Sequence, residues 1–139
     1  MSKLLIMMLS ILLISSYSFG GIPPETVKKA FEQKFPNATN VKWGKENAKE
    51  WEAEFVFNGS NVSANFAIDG KWLETESSVN IKDIPVAVTD GIKKQYIDWT
   101  IATAEKTESQ RNGTIYEMTL KKGKATKKVE FKEDGSPVK

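Results

Sequence analysis

Residues 51–72 read WEAEFVFNGSNVSANFAIDGKW, and their alternation decides the fold. Trp51, Ala53, Phe55 and Phe57 fall on one side of an extended chain, and Glu52, Glu54 and Val56 on the other. Asn58-Gly59 interrupts, and Val62, Ala64, Phe66 and Ile68 resume the same period. Period two on both sides of an Asn-Gly pair is the signature of an antiparallel hairpin with one oily face. Asp69-Gly70 marks a second turn, with a further strand expected from Lys71 to Ser77. A shorter strand, Val41 to Gly44, precedes the hairpin.

Upstream, Pro23-Pro24-Glu25 starts a helix, with proline and an acid where the free N–H groups favour them. Val27, Ala30, Phe31, Lys34 and Phe35 follow helical spacing, and Pro36-Asn37 ends the element.

The pattern is then written a second time. Ile22-Pro23 recurs as Ile84-Pro85, and Ala30 and Phe35 are matched to Ile92 and Ile97, all at an offset of 62. Trp51 to Phe55 aligns with Tyr116 to Leu120 at an offset of 65, as do Phe66 with Phe131 and Asp69-Gly70 with Asp134-Gly135. Three extra residues between the second helix and its hairpin would account for the change. The second helix is expected from about Pro85 to Tyr96 or Asp98, with Val88, Ile92, Tyr96 and Trp99 turned inward. Strands follow at Ile101 to Thr107, around Tyr116 to Leu120, and through Val129 and Phe131. The expected fold class is therefore α+β: two tandem units, each a helix plus a four-stranded antiparallel sheet, with the helices packed on one sheet face. The units are placed at residues 21–80 and 81–139, forming one compact domain. A cystatin-like single sheet is the runner-up, and it leaves the second Ile-Pro helix unexplained.

Residues 1–20 carry a different signal. Lys3 precedes an apolar run from Leu4 to Ile14 broken only by Ser10, and Ser18 and Gly20 suit a cut before Gly21. That is the layout of a secretory signal peptide, and the run is short for a bilayer span of roughly 20 residues. The expectation is export to the periplasm or the exterior, with no membrane span after cleavage. Removing 20 of the 139 residues leaves 119 with 19 basic and 18 acidic side chains, since Lys3 is the only charge removed. That near-neutral balance does not favour nucleic acid.

The chain has no histidine and no cysteine. Serine–histidine and cysteine–histidine catalysis are excluded, as are imidazole or thiolate zinc sites. No cofactor, catalytic residue or metal ligand is expected. Any enzyme reading falls on carboxylates, with a hydrolase centred on Glu52, Glu54 and Glu117 as the rival.

The two units resemble the β-lactamase-inhibitor-like, PepSY-like family of bacterial envelope proteins. The Ile-Pro entries, the helix ending Phe35-Pro36, the strand Trp51 to Phe57 and the segment Phe66-Ala67-Ile68-Asp69-Gly70-Lys71-Trp72 carry that resemblance from about Ile22 to Pro137. It implies a non-catalytic module. The namesakes inhibit a β-lactamase through a concave sheet face, and PepSY domains are associated with inhibiting peptidases. The disulfides of the named inhibitors are missing here, and their inhibitory loop residues have no counterpart, so the inhibitor activity is not carried over.

The expected function is binding of a protein or peptide in the cell envelope by an open sheet face, with inhibition or regulation of an envelope hydrolase as its purpose. A small-molecule, lipid or glycan carrier is the alternative. Partner-binding candidates are Trp43 and Trp72, which lie near element ends, and Glu52, Glu54, Asn65, Glu117, Lys121 and Lys128 on the polar face. Each has a plainer account: tryptophan as core, acids and lysines as solvated cross-strand pairs. The lysines from Lys121 to Lys132 also guard a hairpin against edge-to-edge pairing.

Overall fold

The computed structural model describes residues 20–139; the leader expected at residues 1–20 lies, apart from Gly20, outside them. Helix α1 (Glu25–Lys34) is followed by strands β1 (Thr39–Asn47), β2 (Glu50–Phe57), β3 (Ser60–Ala67) and β4 (Trp72–Ser78). A short 3-10 turn (Ile81–Asp83) leads to α2 (Val86–Gln95), then β5 (Thr100–Ser109), β6 (Gly113–Lys122) and β7 (Ala125–Lys132). All seven strands form one antiparallel meander in chain order, β1 to β7.

The helices start at Pro24 and Pro85, whose fixed φ suits the first turn and whose missing N–H costs nothing there. They end identically. Phe35 and Tyr96 share φ −124° and ψ 65°, and Asn37 and Asp98 follow with φ of 68° and 66°. Pro24 and Pro85, Phe35 and Tyr96, and Asn37 and Asp98 each differ by 61, so the helical offset is 61 and the expected 62 is corrected. Phe31, and not Ala30, is the counterpart of Ile92, and Phe35 pairs with Tyr96 in place of Ile97. The repeated Ile-Pro misled the alignment because the first unit has a doubled proline. Ile84 is buried in the core, whereas Ile22 is 82% exposed.

The hairpin offset of 65 holds: Trp51 faces Phe66 as Tyr116 faces Phe131. The insertion is thus four residues, and it lies inside the β5–β6 hairpin. Trp43 opposite Ala53 and Ala104 opposite Met118 are equivalent pairs, at offsets of 61 and 65. Beyond that point β5 continues to Ser109, and residues 105–109 are the ones that pair with β4. The added length supplies the strand that fuses two small sheets into one.

Register shows why both helices share a face. Ala64 lies opposite Thr75, and Thr75 opposite Glu108; Val62 lies opposite Ser77, Ser77 opposite Lys106, and Lys106 opposite Tyr116. Side chains directly across a ladder point the same way, so the first core's Ala64 and the second core's Tyr116 are on one side. Under α1, Val27, Phe31 and Phe35 meet Trp51, Ala53, Phe55, Ala64 and Phe66. Under α2, Ile84, Val88 and Ile92 meet Ala104, Tyr116, Met118, Leu120, Val129 and Phe131.

The second unit has three strands, not the expected four. After β7 the chain turns as it does after β3, with Lys132 N–H donating to Ser136 O at 2.8 Å, as Ala67 N–H does to Lys71 O. Where Trp72 then begins β4 opposite Phe66, Pro137 makes a single bridge to Phe131. Proline has no N–H to extend a ladder.

Candidate functional site

The face opposite the helices is covered by no other element of the described residues. Its side chains follow from the ladder. Glu52 lies opposite Gly44 and Asn65, and Asn65 opposite Glu74. Lys42 faces Glu54, Glu54 faces Ser63, Ser63 faces Glu76, and Glu76 faces Thr107. Ser78 faces Glu105, Glu105 faces Glu117, and Glu117 faces Glu130. The last row sets three carboxylates side by side on adjacent strands, a placement that costs stability. One cation answers it: Lys128 Nζ donates to Glu117 Oε1 at 2.8 Å, a bond that holds its ammonium pKa above the usual value.

Partial burial, and after it this crowding, moves the acids. Glu52 is half-buried, and desolvation, followed by the charges of Glu46, Glu54, Glu76 and Glu74, raises its pKa from 4.5 to about 7. Glu74 is raised by desolvation and then by Glu50 and Glu46. Glu130 is raised by desolvation and by Glu117, against the opposing pull of Lys128. Glu76 is also raised, by desolvation first and then by Glu74, Glu105, Glu117 and Glu46, although its residue surface stays exposed. A shallow concavity of about 590 Å³ opens among these side chains, bordered by Lys42, Glu54, Asn61, Ser63, Glu76 and Glu105.

The sign of the pH effect follows. A carboxyl whose folded pKa exceeds its unfolded value favours the fold when protonated. Its contribution is complete below about pH 4.5 and is lost as pH rises through about 7 for Glu52. Because Glu52 is only half-buried, solvent screening brings the effect to on the order of 1 kcal/mol. The urea midpoint should therefore be higher at pH 5 than at pH 8, and Glu52→Gln should flatten the difference. An unchanged slope in that variant would show that Glu52 ionises freely.

Of the candidates read from sequence, Glu52, Glu54, Asn65, Glu117, Lys121 and Lys128 all share the open face, with Lys121 beside Thr100 and Thr126 at the far end of β6. Trp43 and Trp72 do not join them. Trp43 packs edge-on to Phe31 at 5.1 Å between ring centres. Trp72 lies opposite Phe66, donates its indole N–H to Thr75 Oγ1 at 2.9 Å and carries Lys34 Nζ 3.8 Å from its ring centre. Both flank the first core on the helix side. Glu74, Glu76 and Glu105 are the members of the face that the sequence reasoning passed over. Among the described residues no group of three or more acidic, histidine or cysteine side chains is arranged to hold a metal ion. No helix among them is long and apolar enough to cross a membrane.

Residues 49–136 match the model of the β-lactamase-inhibitor-like, PepSY-like family. The chain belongs to that family. Solved structures from Bacteroides share its fold. A BLIP-like protein from Bacteroides fragilis NCTC 9343 is 24% identical with a TM-score of 0.74, covering 86% of each chain. A DUF2874 family protein from Bacteroides ovatus ATCC 8483 is 20% identical with a TM-score of 0.74, covering 86% of this chain and 87% of its own. A protein from Bacteroides eggerthii DSM 20697, described as a candidate periplasmic protein, is 19% identical with a TM-score of 0.72, covering 86% and 88%. At these identities the likeness is one of fold. A search of curated proteins found no match.

Proposed function

We propose that this family member is an exported, non-catalytic binding module that holds a protein or peptide of the cell envelope on its open sheet face, and that it inhibits or regulates an envelope hydrolase. The observation that carries this reading is a polar face running across seven strands, with both helices committed to the other side. A fold that needed only to be stable would gain nothing from aligning Glu105, Glu117 and Glu130 across adjacent strands. Surfaces that keep unfavourable charge are commonly functional ones. The leader-like residues 1–20 and the periplasmic description of a fold neighbour support the location.

The test is positional. A photo-crosslinking amino acid at Asn65, on the open face, should join the protein to a discrete envelope partner in living cells. The same group at Glu32, on the exposed side of α1, should not. Equal adducts from both positions, or adducts from Glu32 alone, would remove the open face from the proposal.

A further inference from the structure

Resting on that open-face reading, we infer that the partner presents a cationic segment, rich in lysine or arginine, to the carboxylate rows between β2 and β7. The support is charge complementarity on an uncovered sheet face. The chain as a whole carries a formal charge of +2, so an acidic face is not a consequence of composition. Charge has been sorted. Glu52, Glu74, Glu76, Glu105 and Glu117 occupy the open face of β2 to β6, and Glu130 continues the last row onto the edge strand β7, between Lys128 and Lys132. Most lysines stand elsewhere: on the helices at Lys28, Lys29, Lys93 and Lys94, and along the β6–β7 hairpin at Lys122, Lys124 and Lys127. Of the lysines on the open face itself, Lys42 sits at the β1 rim, and Lys121, Lys128 and Lys132 lie towards the β7 rim.

The carboxylates are also under-satisfied in a way that a cationic partner would relieve. Across the middle strands only Lys128 makes an ion pair with one of them. Partial desolvation raises Glu52, Glu74, Glu76 and Glu130 already in the free protein. A guanidinium or ammonium lowered into the concavity beside Glu54, Glu76 and Glu105 would meet acceptors on several strands at once. Charge-assisted bonds of this kind are short and roughly twice as strong as neutral ones. Ser63, Asn65 and Thr107 stand between the acids and would take up the segment's backbone groups. An acidic segment would meet repulsion at every row, and an apolar one would strand half-buried carboxylates without partners.

The probe is a short peptide alternating lysine with serine, alongside the same peptide with glutamate in place of lysine. Titrated into the isotope-labelled protein, the lysine peptide should shift the amides of Glu76, Glu105 and Glu117 and leave α1 and α2 undisturbed. The double variant Glu76→Gln/Glu105→Gln loses repulsion, so it should remain folded, and it should weaken binding about tenfold or more. Raising the salt concentration should weaken binding as well. Shifts confined to the helices, equal binding by the double variant, or tighter binding of the glutamate peptide would each overturn the inference. A crosslink from Asn65 together with silence from the lysine peptide would refute the cationic chemistry alone and leave the open face in place.

Discussion

Phe131→Ala should lower the unfolding free energy by about 3–5 kcal/mol, the range for truncating a large buried aromatic. Phe131 is 1% exposed and lies at the centre of the second core, opposite Tyr116 on the sheet. It is also within reach of α2, since a β-carbon on Gly91 would lie 3.0 Å from its ring. Removing it leaves a cavity bounded by a helix and two strands, none of which can collapse independently. Phe66→Ala, at the equivalent place under α1, should cost a similar amount. The informative measurement is how the loss spreads. Trp43, Trp51 and Trp72 report on the first core and Trp99 on the second, so in a Trp99→Phe background indole emission follows the unit that Phe131→Ala leaves untouched. The unbroken β4–β5 ladder predicts that emission and far-ultraviolet dichroism will still change together in urea. Separate transitions would mean that the two cores fold as independent units despite their common sheet.

How far the sequence revealed this arrangement depends on where the information sits. The β2–β3 hairpin was legible because Asn58-Gly59 and strict alternation are local signals, and both residues of that turn have positive φ, 50° and 79°. Placement of Glu52, Glu54 and Glu117 on one polar face follows from the same alternation. The joining of the two units was not legible. Residues 105–109 read Glu-Lys-Thr-Glu-Ser, with no apolar period, because they cross the saddle between the helices, where Lys106 and Glu108 pair at 3.1 Å instead of packing on a core. Glu105 therefore gave no sign that it would stand beside Glu117 and Ser78.

Trp72 shows a different failure. Simple alternation from Glu76 and Glu74 places Trp72 on the open face with the acids. A register shift intervenes: Asn65 pairs with Glu74, but the next residue, Phe66, pairs with Trp72. The bulge takes up Leu73 and turns the indole towards the helices, where Thr75 and Lys34 hold it. One extra residue in a strand inverts every side chain beyond it, and no local pattern announces it. Trp43 and Trp72 thus lie at the margin of the first core, away from the charged rows on which the proposed recognition rests.

Gly135→Ala should be the most damaging small substitution in the chain, at about 2–4 kcal/mol, combining left-handed backbone strain with a steric conflict. Gly135 has φ 85°, and a β-carbon there would fall well inside van der Waals contact of the Ala87 carbonyl oxygen at the start of α2. Gly70 repeats the geometry in the first unit, with φ 91° and a β-carbon 2.8 Å from Thr26 O. Each turn is thus pressed against the first turn of its own helix, and only a residue without a side chain allows that approach. Gly123 provides the control. Its φ is 60°, but a β-carbon there meets nothing within 4 Å, so Gly123→Ala should cost only the backbone strain, about 1 kcal/mol. Urea midpoints of Gly135→Ala and Gly123→Ala separate the two contributions. Equal losses at Gly135 and Gly123 would mean that the helix yields to the new methyl group and that the contact does not fix its position. A larger loss at Gly135 would identify the turn as the stop that sets the height of α2 above the sheet, and with it the curvature of the acidic face on the other side.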